Sequence, residues 1–220
     1  MDYTKTVEKI ETYIHENFDI LKFLYLREGD CKYARIINSI ENGESLSQLK
    51  NEIETFYRFQ GMDKDKRINL LEMFDVEKDK IKSIDSNNID KVFGLYRTLL
   101  EKTEKITGKR QYVNTAKLMN LCNQDVPLFD NNVINFLNYL STGEKIKSQT
   151  EESYYHVLNI YKIINGQEKV PNIIKLKNNV YSDMEIKYIN LNKFVDTLMY
   201  YVNDAKELSE YKKLCINNKR

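Results

Sequence analysis

The chain has 220 residues, 41% of them hydrophobic and 30% charged, which bounds it to one large or two small folded domains and excludes a disordered chain. A formal net charge of +1 excludes a global basic field for nucleic acid and leaves room for a local basic patch. Seven glycines and two prolines are too few for a sandwich or barrel, and no apolar run is long enough to span a membrane.

Taken in order, residues 2–27 carry Val7, Ile10, Tyr13, Ile14, Phe18, Leu21, Leu24 and Tyr25 at helical spacing, with a break expected near Asn17. This charged, amphipathic start is unlike a signal peptide. A helix over 31–42 follows, with Tyr33, Ile36, Ile37 and Ile40 on one face and Gly43 suited to the left-handed position after it. Ser45 reads as the N-cap of a helix reaching Tyr57 and ending at Gln60-Gly61. Residues 63–80 are charge-dense with Ile68, Leu70, Leu71, Phe74 and Val76 at helical spacing. The polar run 82–88 is a loop, with Ser86 or Asn87 as the cap of the next helix and with two lobes meeting there if the chain divides. Ile89, Val92, Phe93, Tyr96, Leu99 and Leu100 form that helix's apolar face.

Beyond residue 140, Ser141-Thr142-Gly143 is a stop signal, and 151–165 is a Tyr-rich helix closed by Asn165-Gly166. Val170-Pro171 favours an extended step, so Ile173–Leu176 is either a strand or a further helical turn. Ser182 and Glu185 have capping-box spacing for a long final helix, and 212–220 is a basic tail. The expected fold is therefore all-α: a multi-helix globular domain over 1–220, with at most a minor strand pair near 170–190.

Three widely spaced cysteines give neither a disulfide framework nor zinc spacing, and reduced thiols point to a cytoplasmic protein. His15 and His156 lack metal-ligand neighbours, and no phosphate-binding glycine loop or nucleophile elbow occurs. No metal and no cofactor are expected.

The best-defined stretch is 107–140. Val113, Ala116, Lys117, Leu118, Leu121 and Cys122 make a helix with a largely buried face; Asn123–Pro127 turns the chain, and Leu128 and Phe129 anchor it. Asp130 then sits at the N-cap of the helix 131–140, where its carboxylate accepts N–H bonds from Asn132 or Val133. Helix N-termini also attract phosphate. This stretch, with Ala116, Lys117, Leu118, Met119, Pro127, Phe129 and Asp130, resembles the helix-turn-helix region of the helix-hairpin-helix DNA glycosylase superfamily and its helical relatives. The resemblance makes Asp130 the catalytic carboxylate, acting at the sugar of an extruded base. It makes Gly108, Lys109, Arg110, Asn131 and Asn132 the contacts to duplex DNA. The family's glycine-rich hairpin is not recognisable here, its lysine position falls near Tyr112, and Lys117 does not match it. The resemblance thus implies a DNA-associated domain of glycosylase-like fold. The near-neutral charge and many amphipathic helices fit the alternative, a non-enzymatic module binding a protein partner through an exposed apolar patch.

Overall fold

The computed structural model describes residues 1–28, 31–57, 59, 62–140, 145–146, 149–184 and 190–203. Among these, all regular structure is helical: α1 (Tyr3–Glu16), α2 (Phe18–Glu28), α3 (Cys31–Glu41), α4 (Lys50–Tyr57), α5 (Lys64–Lys82), α6 (Ile89–Thr107), α7 (Tyr112–Cys122), α8 (Asn131–Leu140), α9 (Glu151–Asn165), α10 (Pro171–Met184) and α11 (Leu191–Asn203). The all-α expectation is met.

Local chemistry accounts for most boundaries. Asn17 separates α1 from α2 because its side-chain amide and its backbone N–H both bond to Tyr13 O, at 2.9 and 3.1 Å. Gly43 turns the chain after α3 at φ +99°, a conformation that costs glycine little. Ser45 and Gln48 exchange reciprocal bonds, 3.1 Å to the serine hydroxyl and 2.8 Å to the glutamine oxygen, around one turn that precedes α4. Asp63 opens α5 through Lys66 N–H at 2.9 Å.

Two capping expectations are corrected, at α6 and at Ser182, and one open segment resolves as helix. The cap of α6 is Asn88, which accepts Lys91 N–H at 3.1 Å, rather than Ser86 or Asn87. Asp85 binds Asn87 N–H at 3.0 Å, and this small turn passes the capping position one residue on. The segment left open between strand and helix is helix, because Pro171 occupies the first position of α10, where its missing N–H is no loss. Ser182 consequently lies inside α10 and donates to Asn179 O at 3.0 Å instead of opening a helix. The stops read at Gln60-Gly61 and Ser141–Gly143, the Glu185 partner and the tail 212–220 lie outside the described residues.

Two groups of helices build the core. In one, α1 lies on α8, α9 and α10, while α11 packs on α2 and α8 and α10 packs on α2. In the other, α5, α6 and α7 pack on one another. Contact of α6 with α9 joins the groups, and α3 pairs with α4. Residues 83–88 turn the chain between α5 and α6, and the buried apolar side chains form one continuous cluster. The 107–140 stretch lies at this junction, with α7 in one group and α8 in the other.

Candidate functional site

The turn between α7 and α8 is fixed by its own asparagines and by contacts with α3, α5 and α9. Asn120, fully buried, donates to Val126 O at 2.8 Å and Gln124 O at 3.3 Å, and accepts from the Tyr33 hydroxyl at 2.7 Å. Asn123 Nδ2 donates to Ile81 O at 3.1 Å, tying the turn to the end of α5. Tyr154 donates to Pro127 O at 3.2 Å, and its ring lies 5.3 Å from that of buried Phe129. A second tyrosine, Tyr96, rests on Tyr154 at 4.1 Å between ring centroids and donates to Tyr112 O at 3.2 Å. The backbone that delivers Asp130 is therefore held from both sides.

Asp130 caps α8 as its position in the sequence implies: Oδ1 accepts Asn132 N–H at 2.9 Å and Val133 N–H at 3.1 Å. Its other oxygen, Oδ2, takes no hydrogen bond among the described residues. The charge of the half-buried carboxylate acts on a corner formed by Lys117 on α7 and Lys193 and Asp196 on α11, set against aromatic rings of α4. Lys117, set aside on spacing, contributes to that corner. Burial pulls its ammonium below the usual lysine range, the nearby carboxylates of Asp130 and Asp196 pull it back, and the ammonium of Lys193 adds to the burial effect. Lys117 Nζ lies 3.5 Å from Tyr57 O and 5.1 Å from the centre of the Tyr57 ring. Lys193 is buried, pairs with Asp196 at 2.9 Å, and lies 5.1 Å from the Tyr33 ring centre and 5.5 Å from that of Phe56. Two ammoniums on an aromatic ladder thus stand with two carboxylates, one of which keeps an oxygen open.

Sequence reasoning missed Lys117, Lys193 and Asp196 as a group. One signal was available: a lysine set among Ala116, Leu118 and Leu121 on a helix face that is otherwise buried. Its partner is thirteen residues away across a turn, and only the folded turn closes that gap (117 to 130).

The other residues singled out lie around the start of α9. Gly108 ends α6 in the left-handed conformation, φ +80°, with its N–H donating to Glu104 O at 2.8 Å. A Cβ there would meet nothing within 4 Å, so the glycine answers a backbone demand. Lys109 is exposed. Arg110 is committed to carboxylates: Nε lies 3.2 Å from Glu104 Oε2, and Nη1 pairs with Glu151 Oε1. Asn131 is exposed and accepts from Gln149 Nε2 at 2.7 Å, and Asn132 is half-buried with its N–H on Asp130. Residues 149–151 therefore touch Asn131 on one side and Arg110 on the other, so one short segment bridges the two halves of the expected site.

Other chemistry is quiet. Among the described residues no three His, Cys, Asp or Glu groups could hold a metal ion, and no helix is long and apolar enough to cross a membrane. His156 Nδ1 lies 2.9 Å from the Tyr3 hydroxyl. Burial pushes the Cys122 thiol up to about 12, which keeps it protonated and unreactive. The exposed large apolar side chains among the described residues are Phe23 and Leu26 on α2, Val76 on α5, Tyr139 on α8 and Tyr200 on α11.

No protein-family model, no curated protein and no solved structure matches the chain.

Proposed function

We propose that the chain is a DNA-associated helical domain of glycosylase-like chemistry, with Asp130 as its catalytic carboxylate. One observation carries the reading: Asp130 spends a single oxygen on capping α8 and keeps Oδ2 uncommitted, while its charge is felt at the Lys117 ammonium. A cap needs one oxygen. A carboxylate fixed by backbone N–H groups, with its second oxygen uncommitted, suits stabilisation of positive charge developing on a sugar as a base departs. Lys117 adds an amine whose proton is loosened by burial, and Lys193 with Asp196 holds the far side of the corner. Lys109, Arg110, Asn131 and Asn132 are the proposed duplex contacts.

Base release from a panel of lesion-containing duplexes tests this, with wild type compared to Asp130→Asn. Asparagine is as good an N-cap as aspartate, so the variant keeps its fold while losing the charge. The expected result is release by wild type and a loss on the order of 100-fold in the variant. Equal rates, or no release across the panel, would overturn the catalytic part. Failure of wild type to bind any duplex would overturn the whole reading.

A further inference from the structure

Resting on the DNA reading above, we infer that Glu151 is a specificity-determining residue of the proposed duplex surface. Its carboxylate holds Arg97 and Arg110 and yields them when a backbone phosphate takes its place. Glu151 is the first residue of α9 and grips a different guanidinium with each oxygen: Oε2 lies 2.9 Å from Arg97 Nε, and Oε1 pairs with Arg110 Nη1. Glu104 Oε2 lies 3.2 Å from Nε of the same Arg110. The two arginines come from different places, the middle of α6 and the turn after it, so one carboxylate braces two separate cationic arms.

The exposures set the direction of exchange. The Glu151 side chain is 24% exposed, while those of Arg97 and Arg110 are 58% and 40% exposed. A phosphate approaching from solvent therefore reaches the guanidiniums without dislodging packed groups. Exposed ion pairs are weak, and a phosphate offers a guanidinium the same forked pair of acceptors as a carboxylate. Exchange thus conserves charge-assisted bonds at both arginines. It also leaves Glu151 facing the incoming backbone, so a duplex that fails to place phosphate at both arginines meets an uncompensated negative charge. Arg97 and Arg110 are thus matched by Glu104 and Glu151, which leaves the cluster itself without net charge. Gln149, two residues before Glu151, donates to Asn131 at the start of α8, so the segment that carries Glu151 also touches the helix that Asp130 caps.

The test is binding of a fluorescently labelled, undamaged duplex, followed by anisotropy across a salt series. Glu151→Gln keeps shape and removes charge. It is expected to bind about 3- to 10-fold tighter at low salt, with a log–log salt slope steeper by about one, as for one additional phosphate contact. Adding Arg110→Gln is expected to return affinity to wild type or below. Glu104→Gln, which removes one of the two carboxylates on Arg110 and leaves Arg97 held, is expected to give a smaller gain and serves as a second reading that leaves the start of α9 untouched. If wild type binds duplex and both charge-removal variants match it in affinity and slope, the inference about Glu151 falls while the DNA reading stands. If neither wild type nor variants bind, both fall.

Discussion

Asp130 caps α8 with one oxygen and leaves the other uncommitted, and substitution separates its cap from its charge. Asp130→Ala removes the cap and is expected to cost about 1 kcal/mol in urea unfolding, whereas Asp130→Asn is expected to stay within a few tenths of wild type. A larger loss in the asparagine variant would mean that its charge is structural. Lys117 carries a pH signature of opposite origin. Burial lowers its proton affinity in the folded chain, so the unfolded chain binds that proton more tightly and stability rises with pH between the lowered folded value and the usual 10.5. Lys117→Met is expected to abolish this rise, seen as a stability difference from wild type that closes between neutral pH and about 10. A difference that does not change with pH would sink the assignment. The aspartate could be read from sequence because capping is local, involving a residue and the two N–H groups just after it. The lysine could not, since its environment comes from Tyr57, Asp130, Lys193 and Asp196 on three other elements.

At the scale of the element, several helix ends are finished by side chains from elsewhere in addition to the local caps. Buried Glu11 on α1 accepts Asn172 N–H at 2.8 Å and Ile173 N–H at 3.0 Å, satisfying the first turn of α10 that Pro171 begins. Asp75 on α5 takes Leu46 N–H at 2.6 Å and Ser47 N–H at 3.0 Å. Lys9 reaches Leu140 O at 3.0 Å at the end of α8, and Lys78 reaches Glu44 O at 3.2 Å just past α3. Glu11→Ala strands two backbone donors at a buried helix start. It is expected to cost about 2–3 kcal/mol and to speed amide exchange at Asn172 and Ile173 ahead of the rest of α10. Uniform exchange along α10 would argue against the cap. These long-range caps explain which parts of the pattern misled. Gly43 and Asp130 act through their own neighbours and were legible. Nothing near residue 170 reveals that a glutamate 161 residues earlier completes α10, so the extended step at Val170-Pro171 was left open to a strand. Ser182 with Glu185 matched a capping pattern whose helix had already begun eleven residues before, at Pro171.

For the molecule as a whole, the few turn breakers and the helical spacing of its apolar residues were enough to indicate an all-α fold, because burial of amphipathic faces needs no particular partner to be recognised. Which faces meet was not legible, since every helix offers a similar apolar stripe. The shared core sets a global pH response. Burial raises the Cys122 thiol to about 12 from the usual 9.0, so the folded chain holds that proton more tightly than the unfolded chain. The stability this contributes is complete below pH 9.0 and is lost as pH rises toward 12. Tyr96, Tyr154 and Tyr161, raised by burial first of all, act in the same sense above the usual 10.0. Cys122→Ala is expected to unfold with a shallower alkaline decline, measured by circular dichroism between pH 8 and 11, and an unchanged decline would contradict this. The architecture also orders events in time. During synthesis, α5, α6 and α7 can find one another as soon as residues 64–122 have emerged. In contrast, α1 must wait: Lys9, Tyr3 and Glu11 meet partners 131, 153 and 162 residues later. At about 5–20 residues per second, that is roughly 7–30 s on the ribosome with Val7, Ile10 and Ile14 uncovered. A nascent chain stalled before Pro171 leaves Glu11 with no helix to cap and α2 without α10 and α11, its main packing partners, so α2 in such a chain is the segment a protease cuts first.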